Sequence, residues 1–337
     1  MPIYVSASAD TKMFRLCYVR KIMHSVTVKA PAKVNLFLKV LGKRKDSYHN
    51  ILTLFERISL ADTIKISKIP KGIIVKSDKP ITRDPKDNLC FKAAEAILKR
   101  GKVRSGVKIK IKKRIPVASG LGGGSSDAAS TMIGINRLFR LKLDGEVLLT
   151  MGKKLGADVP FFLLDTPFAI GRGRGDILEV VKSKAKFRHL IIKAGNKTAT
   201  KDIYKAFDRA SKHLTPRRES AKIHPLSLKL RGVVRRSQTR KQFGEGGQTP
   251  LKLRMDYAQA ESMLHNDLER AVSLKKSVIS RILKSLAQLL SKRAIVSGSG
   301  PGLFCLYRTR REAIDARDTI LRSVSTRSRT GWQIFVA

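Results

Sequence analysis

Cysteine is scarce in this 337-residue chain: three occur, Cys17, Cys90 and Cys305, widely spaced and without a Cys-x-x-Cys pair. That spacing excludes a disulfide framework and a thiolate zinc site, and it fits a reducing compartment. Aromatics make up only 6%, with one tryptophan. No Lys/Arg-Gly-Phe-type ribonucleoprotein motif appears, so platforms for stacking RNA bases are missing from the pattern. No run reaches the roughly eighteen apolar residues of a membrane span. Residues 1 to 22 have no sustained apolar stretch and do not read as a secretory signal. Their Arg15, Arg20 and Lys21 are accompanied by Asp10, a poor transit peptide, and Met23 stands directly before the first strand-like segment. A disordered extension or an overlong gene start is expected there, and a cytoplasmic location for the protein.

Acid is the other shortage: 26 Asp+Glu face 70 Lys+Arg, a formal net charge of +44. Such a field attracts phosphorylated small molecules, and equally nucleic acid or anionic lipid. The excess runs through Lys108 to Lys113, Arg172 to Arg174 and Lys212 to Arg254. The last stretch carries Arg217-Arg218, Arg235-Arg236 and Arg240-Lys241 beside Gly244-Glu245-Gly246-Gly247, with few apolar residues. It reads as a basic insertion near 212–254, partly disordered and without a catalytic part. Phe243 is its sole aromatic, so nucleic acid stands as a partner the basic surface permits but does not favour. A solvated surface is the plainer account of the charge.

Glycine, by contrast, is concentrated in one place: Ile115-Pro116-Val117-Ala118-Ser119-Gly120-Leu121-Gly122-Gly123-Gly124-Ser125-Ser126-Asp127-Ala128-Ala129-Ser130. Before it, Val107 to Lys112 alternates apolar and basic residues as a half-buried strand does. After it, Ala128, Met132, Ile135 and Phe139 recur at helical spacing. The glycines therefore join a strand to a helix amino end, where free N–H groups and the helix dipole attract an anion. A nucleotide phosphate is the natural guest. The segment lacks the Gly-Lys-Ser/Thr ending of a P-loop and fails the dinucleotide fingerprint at its last glycine. Taken alone, it is also compatible with a glycine turn capped by Ser125 or Ser126.

With Pro116, Gly120 to Gly124, the two serines and Ala128-Ala129, the segment resembles the central motif of the GHMP kinase superfamily, which includes galactokinase, homoserine kinase and mevalonate kinase. Ala30-Pro31-Ala32-Lys33-Val34-Asn35-Leu36-Phe37-Leu38 resembles its first motif and Val296 to Phe304 its third, in the right order. Ala32 to Leu36 with Asp46-Ser47-Tyr48-His49, Leu155-Gly156-Ala157-Asp158-Val159-Pro160-Phe161-Phe162, and Leu264 to Glu269 resemble one branch of it. That branch acts on a cytidine diphosphate-linked methylerythritol. The resemblance covers roughly residues 24 to 337, the basic interval departing from it. It implies a kinase that uses ATP and Mg²⁺ to phosphorylate the 2-hydroxyl of that substrate in the non-mevalonate isoprenoid pathway, as a monomer or homodimer. Another small-molecule kinase of the superfamily is the alternative, one that would keep Lys33 and the glycine loop but not need Tyr48 and His49.

Phosphoryl transfer needs a polarised or deprotonated hydroxyl, neutralised phosphoryl charge and aligned partners. Asp158 is the candidate base; capping the helix that begins Val159-Pro160 is its other role. The resemblance sets Lys33 against Asp158 to steady developing negative charge, where otherwise it would be an exposed strand lysine, and Asn35 beside the alcohol. It assigns ATP contacts to Pro116, Ala118, Ser119, Gly120, Leu121, Gly122, Gly123, Gly124, Ser125, Ser126 and Asp127. A serine hydroxyl and Asp127 stand near Mg²⁺, with the metal ligands left unassigned. Asn88 and Lys113 are carried over to the ATP base and ribose; the alternatives are a helix cap ahead of Cys90 to Leu98 and a solvated strand end. Tyr48 and His49 are carried over to cytosine. Thr200 and Tyr204, from Thr198 to Tyr204, follow, with Tyr204 as a second stacking face or simply core. Ser297, Gly298, Ser299 and Gly300 close the site behind the phosphates, or form a tight turn. Gly302 stands where the family commonly has a small or threonine residue.

The periodicities describe an α+β protein. Strands are expected at Val26 to Val28, Val34 to Val40, Thr63 to Ile66, Ile73 to Val75, Val107 to Ile111, Ala294 to Val296, Leu303 to Tyr307 and Trp332 to Val336. Helices are expected at Leu148 to Leu155, Tyr257 to Val272, Ser277 to Leu290 and Arg311 to Arg322. The resemblance implies a cleft between two lobes: an ATP-binding amino-terminal domain over 23–184 and a carboxy-terminal domain over 185–337.

Overall fold

The computed structural model describes residues 24–196, 198–212, 251–252, 255–324 and 331–337. The extension expected over 1–22 and almost all of the insertion expected over 212–254 lie outside the described residues. The two runs at Val26–Val28 and Val34–Val40 are one long strand, β1 (Ser25–Lys43), antiparallel to β2 (His49–Ile69). Register shifts fall at Pro31/Lys33, Asn35/Phe37 and Val40/Gly42. Such bulges bend a strand and re-aim its side chains, and the first two bracket Lys33 and Asn35.

The chain continues with β3 (Ile73–Ser77), α1 (Leu89–Arg100), β4 (Gly106–Lys112), α2 (Gly123–Phe139), α3 (Gly145–Leu155), α4 (Val159–Leu163), β5 (Phe168–Arg172) and β6 (Ile177–Lys182). Then follow β7 (Arg188–Lys193), α5 (Thr200–Lys212), β8 (Leu251–Lys252), α6 (Tyr257–Met263), β9 (His265–Asn266), α7 (Glu269–Lys275), α8 (Ser277–Leu290), β10 (Ile295–Val296), β11 (Gly302–Tyr307), α9 (Arg310–Ser323) and β12 (Gln333–Val336). One sheet has the order β3-β4-β2-β5-β6-β8, with β1 on β2 and β9 on β1; the other is β10-β11-β7-β12. The chain changes sheet between Lys182 and Arg188, and β8 and β9 return from later sequence to the first sheet.

Helices α1 and α2 cover one face of the first sheet, packing Ala93, Ile97, Met132 and Ile135 on Ile64, Ile66, Val107 and Ile109. The alternation in β4 is thus explained: Val107, Ile109 and Ile111 point inward and the lysines outward. Gly134 lets α2 lie close, since a Cβ there would come within 2.5 Å of Ile66. A second core joins β7, β10 and β11 to α5 and α7–α9. A third spans both sheets through Phe37, Leu54, Phe168, Phe187, Ile191 and Phe304, each large side chain contributing about 1.5–3 kcal/mol on full burial.

The single helix expected over Tyr257 to Val272 is instead α6, the two-residue strand β9 and α7. Polar side chains break it. Asn266 accepts from the Leu268 N–H and donates to the Val296 and Gly298 carbonyls, while Asp267 accepts the Val40 N–H. These bonds pull the segment alongside Phe37 and Leu38.

Candidate active site

Residues 113–122 carry the chain from β4 to α2. Ala118, Gly120 and Gly122 have φ of 61°, 82° and 72°, the left-handed region where glycine is favoured. Gly122 is the N-cap of α2 and no side chain caps this end, so neither serine fills the capping role. The first-turn N–H groups are left for an anion. The third motif lies directly on this loop. Gly302 N–H donates to the Ser119 carbonyl at 2.7 Å, and the Ser297 hydroxyl to the Gly120 carbonyl at 3.3 Å. A Cβ at Gly120 would stand 2.4 Å from the Ser297 oxygen, and one at Gly302 2.4 Å from the Ser119 oxygen. This close approach accounts for a glycine at 302.

Lys33 is 4% exposed, which removes the exposed strand lysine from the alternatives. Its backbone N–H donates to the Leu121 carbonyl at 3.0 Å, tying the first motif to the glycine loop. Its ammonium donates to Asn35 Oδ1 at 2.7 Å, lies 3.8 Å from Asp158 Oδ2 and sits 5.2 Å from the centre of the Phe55 ring. Asn35 donates in turn to Thr53 Oγ1 at 2.7 Å, whose hydroxyl donates to the Phe37 carbonyl. Asp158 occupies the N-cap position of α4 but makes no side-chain capping bond, and its side chain is 36% exposed. The carboxylate is therefore open to a ligand on one side and to Lys33 on the other. Gly298 passes close enough that a Cβ would lie 3.5 Å from Asn35 Oδ1 and 3.6 Å from Lys33 Nζ.

Beneath the loop, Lys113 is buried rather than a solvated strand end. Its ammonium lies between the carboxylates of Asp62 and Asp127, 2.7 Å from Asp127 Oδ2. Asp62 also accepts the Arg114 and Ile115 N–H groups, fixing where the loop leaves β4. Burial, with the neighbouring Asp62 charge, pushes the Asp127 carboxyl up, and Lys113 opposes it. Asp127 Oδ1 and Ser126 Oγ are buried and find no hydrogen-bond partner among the described residues. Asn88 accepts the Cys90 N–H at 2.9 Å and so caps α1.

On the other side of Asp158, the helix α5 presents Thr200, Tyr204 and Asp208 at four-residue intervals along one face. Thr200 Oγ1 is 3.0 Å from Ser299 Oγ. The Tyr204 ring stacks on His49, 4.6 Å between centroids, and His49 Nε2 pairs with Asp208 Oδ1 at 2.7 Å. Burial and then the Asp158 charge push the Tyr204 phenol up to about 12, so it stays protonated at neutral pH. Tyr48 is 55% exposed, with the Arg174 guanidinium 5.1 Å over its ring.

The first and third motifs, the glycine loop and Asp158 thus converge, with α5 joined through Thr200 and Tyr204. Sequence reasoning missed Asp62, Thr53 and Asp208, and took Asn266 only as part of the Leu264 to Glu269 stretch, without a role of its own. Asp62, an acid inside the apolar run Leu60 to Ile64 of a very basic chain, was the clearest available signal. Among the described residues, no cluster of three His, Cys, Asp or Glu side chains is arranged to hold a metal ion, and no helix is long and apolar enough to cross a membrane.

The family model described as the GHMP kinases N terminal domain matches residues 88–166. The chain is 33% identical over 319 residues to the 4-diphosphocytidyl-2-C-methyl-D-erythritol kinase of Acetivibrio thermocellus, covering 93% of this chain and 99% of that protein. It is 34% identical over 302 residues to the enzyme of the same name from Geobacter metallireducens, covering 89% and 96%. Among solved structures, a 4-(cytidine 5'-diphospho)-2C-methyl-D-erythritol kinase superposes with a TM-score of 0.67 at 27% identity, covering 92% of this chain and 98% of that one. Mevalonate kinase from L. major, at 16% identity and a TM-score of 0.61 over 94% and 97% of the two chains, shares the fold.

Proposed function

Since the chain belongs to the 4-diphosphocytidyl-2-C-methyl-D-erythritol kinase family, we infer that it transfers a phosphoryl group from ATP to the 2-hydroxyl of 4-diphosphocytidyl-2-C-methyl-D-erythritol, a step of the non-mevalonate route to isoprenoid precursors. The observation that carries the chemistry is the Lys33–Asp158 pair set beside the uncapped amino end of α2.

Asp158, open on its solvent side, accepts the proton of the substrate alcohol as the oxygen attacks. Tyr204 does not compete for that role, because its phenol keeps its proton. The Lys33 ammonium, fixed by Asn35 and buried, faces the place where negative charge grows, and in low dielectric it acts strongly there. The first-turn N–H groups of α2 hold phosphate oxygens without needing to reorganise. Ser126 and Asp127, whose buried oxygens find no hydrogen-bond partner among the described residues, are the side chains that would hold Mg²⁺. When bound, the ion neutralises charge on the phosphates. His49, Tyr204 and the exposed Tyr48 form the side that grips the cytosine.

An ADP-release assay with the cytidyl substrate, mevalonate and homoserine tests the reading. Turnover confined to the cytidyl substrate is expected, and His49→Ala should raise its KM with little effect on that of ATP. Comparable kcat/KM with mevalonate or homoserine would move the assignment to another small-molecule kinase.

A further inference from the structure

Among the described residues, nothing packs on the outer face of the four neighbouring strands β3, β4, β2 and β1, which takes no part in the reaction and whose other face is covered by α1 and α2. The strand register sets its side chains in rows. Ser25, Ser67, Lys108 and Ile74 form one; Thr27, Lys65, Lys110 and Lys76 the next; Lys29, Thr63 and Lys112 the third. The face therefore carries six lysines, four hydroxyls and no acidic residue. None of the six ammonium groups makes an ion pair with a described residue; Lys29 donates to Thr63 Oγ1 at 3.0 Å.

We propose that this face binds the phosphate backbone of nucleic acid without reading its sequence. Neighbouring strands lie about 4.8 Å apart and alternate residues along a strand about 6.6–6.8 Å apart. Lys65, Lys110 and Lys76 therefore stand side by side across three strands, crossed by the line Lys108, Lys110, Lys112 along β4. Like charges directly opposite on a sheet repel, and a string of phosphates relieves that repulsion over the whole grid. The four hydroxyls add neutral donors to phosphate oxygens. No aromatic lies on the face, so bases find nothing to stack on and no base preference arises. Ile74 is its only apolar residue, too little to insert into a lipid surface, which favours nucleic acid over membrane. The chain's net charge of +44 adds long-range attraction to any polyanion.

The test is fluorescence anisotropy of the full chain with a labelled oligouridylate of about 20 nucleotides across a salt series. For Lys65→Gln/Lys76→Gln/Lys110→Gln, the slope of log affinity against log salt should shrink by about 2, and affinity near 100 mM salt should fall about tenfold or more. Lys108→Gln/Lys112→Gln, on β4 alone, should shrink the slope by about 1.4. Lys99→Gln/Lys153→Gln/Lys154→Gln removes equal charge from helix ends elsewhere and should change affinity less than about twofold. Unchanged melting temperatures and kinase turnover would establish that the variants are folded. Equal losses in the sheet and helix-end triples would reduce the effect to bulk charge and overturn the proposal. So would an unchanged slope in the β4 double, or these lysines binding phosphatidylglycerol vesicles while the wild type ignores RNA.

Discussion

At Gly302 the backbone N–H bonds the Ser119 carbonyl, and a side chain of even one carbon would press on that oxygen at 2.4 Å. Because the obstructing atom is backbone, relief requires moving the glycine loop. Gly302→Ala should cost about 1–3 kcal/mol, and it should raise the KM for ATP more than that for the cytidyl substrate. Thermal melts and steady-state kinetics check both parts. From the sequence, Gly302 looked only like a departure from a family pattern, since the carbonyl that demands it lies in another motif. Lys33 and Asp158 were legible because each sits in a dense local signature. Asp62 was not, because its partner Lys113 reaches it only through the pairing of β2 with β4.

Where the pattern promised one helix from Tyr257 to Val272, Asn266 leaves the helix to hold two carbonyls of the third motif and the start of α7. Helical periodicity registers apolar spacing, and Leu264, Leu268 and Val272 supplied it; it is blind to a side chain whose partners come from distant sequence. By contrast α8 and α9 were readable almost to the residue, being amphipathic helices against one core. Strands β5 and β7 were not anticipated, since strands buried on both faces lose alternation. Asn266→Ala should cost about 2–4 kcal/mol by orphaning buried backbone groups. It should also lower kcat, because Gly298 borders Lys33 and Asn35; urea melts and turnover report the two effects. Glu269, at the start of α7, accepts the Val296 N–H at 3.2 Å, and burial pushes its carboxyl above the ordinary 4.5. The folded state therefore keeps a proton that the unfolded chain has lost. The associated stability is present below pH 4.5 and disappears as pH rises through the folded value. Urea midpoints across that range should fall more for the wild type than for Glu269→Gln.

Among the described residues the two sheets share the apolar core around Phe168, Phe187 and Phe304, and buried polar links that include Asn266 to the Val296 carbonyl at 2.8 Å and His189 Nε2 to Glu56 Oε2 at 3.0 Å. His189→Ala leaves the Glu56 carboxyl buried without that partner and should cost about 3 kcal/mol or more. Glu56→Gln, which keeps a hydrogen-bonding group, should cost less, as urea unfolding would show. This shared interior holds the third motif, carried by β10 and β11, against the glycine loop of the first sheet. The central claim is that this assembly makes Lys33 and Asp158 the working pair. The most direct measurement is single-turnover phosphorylation of the cytidyl substrate by Asp158→Ala and Lys33→Ala, with ATP affinity measured in parallel. The account predicts rates lower by about 10²–10⁴-fold with ATP affinity kept within a few-fold. Near-wild-type turnover in Asp158→Ala would contradict it.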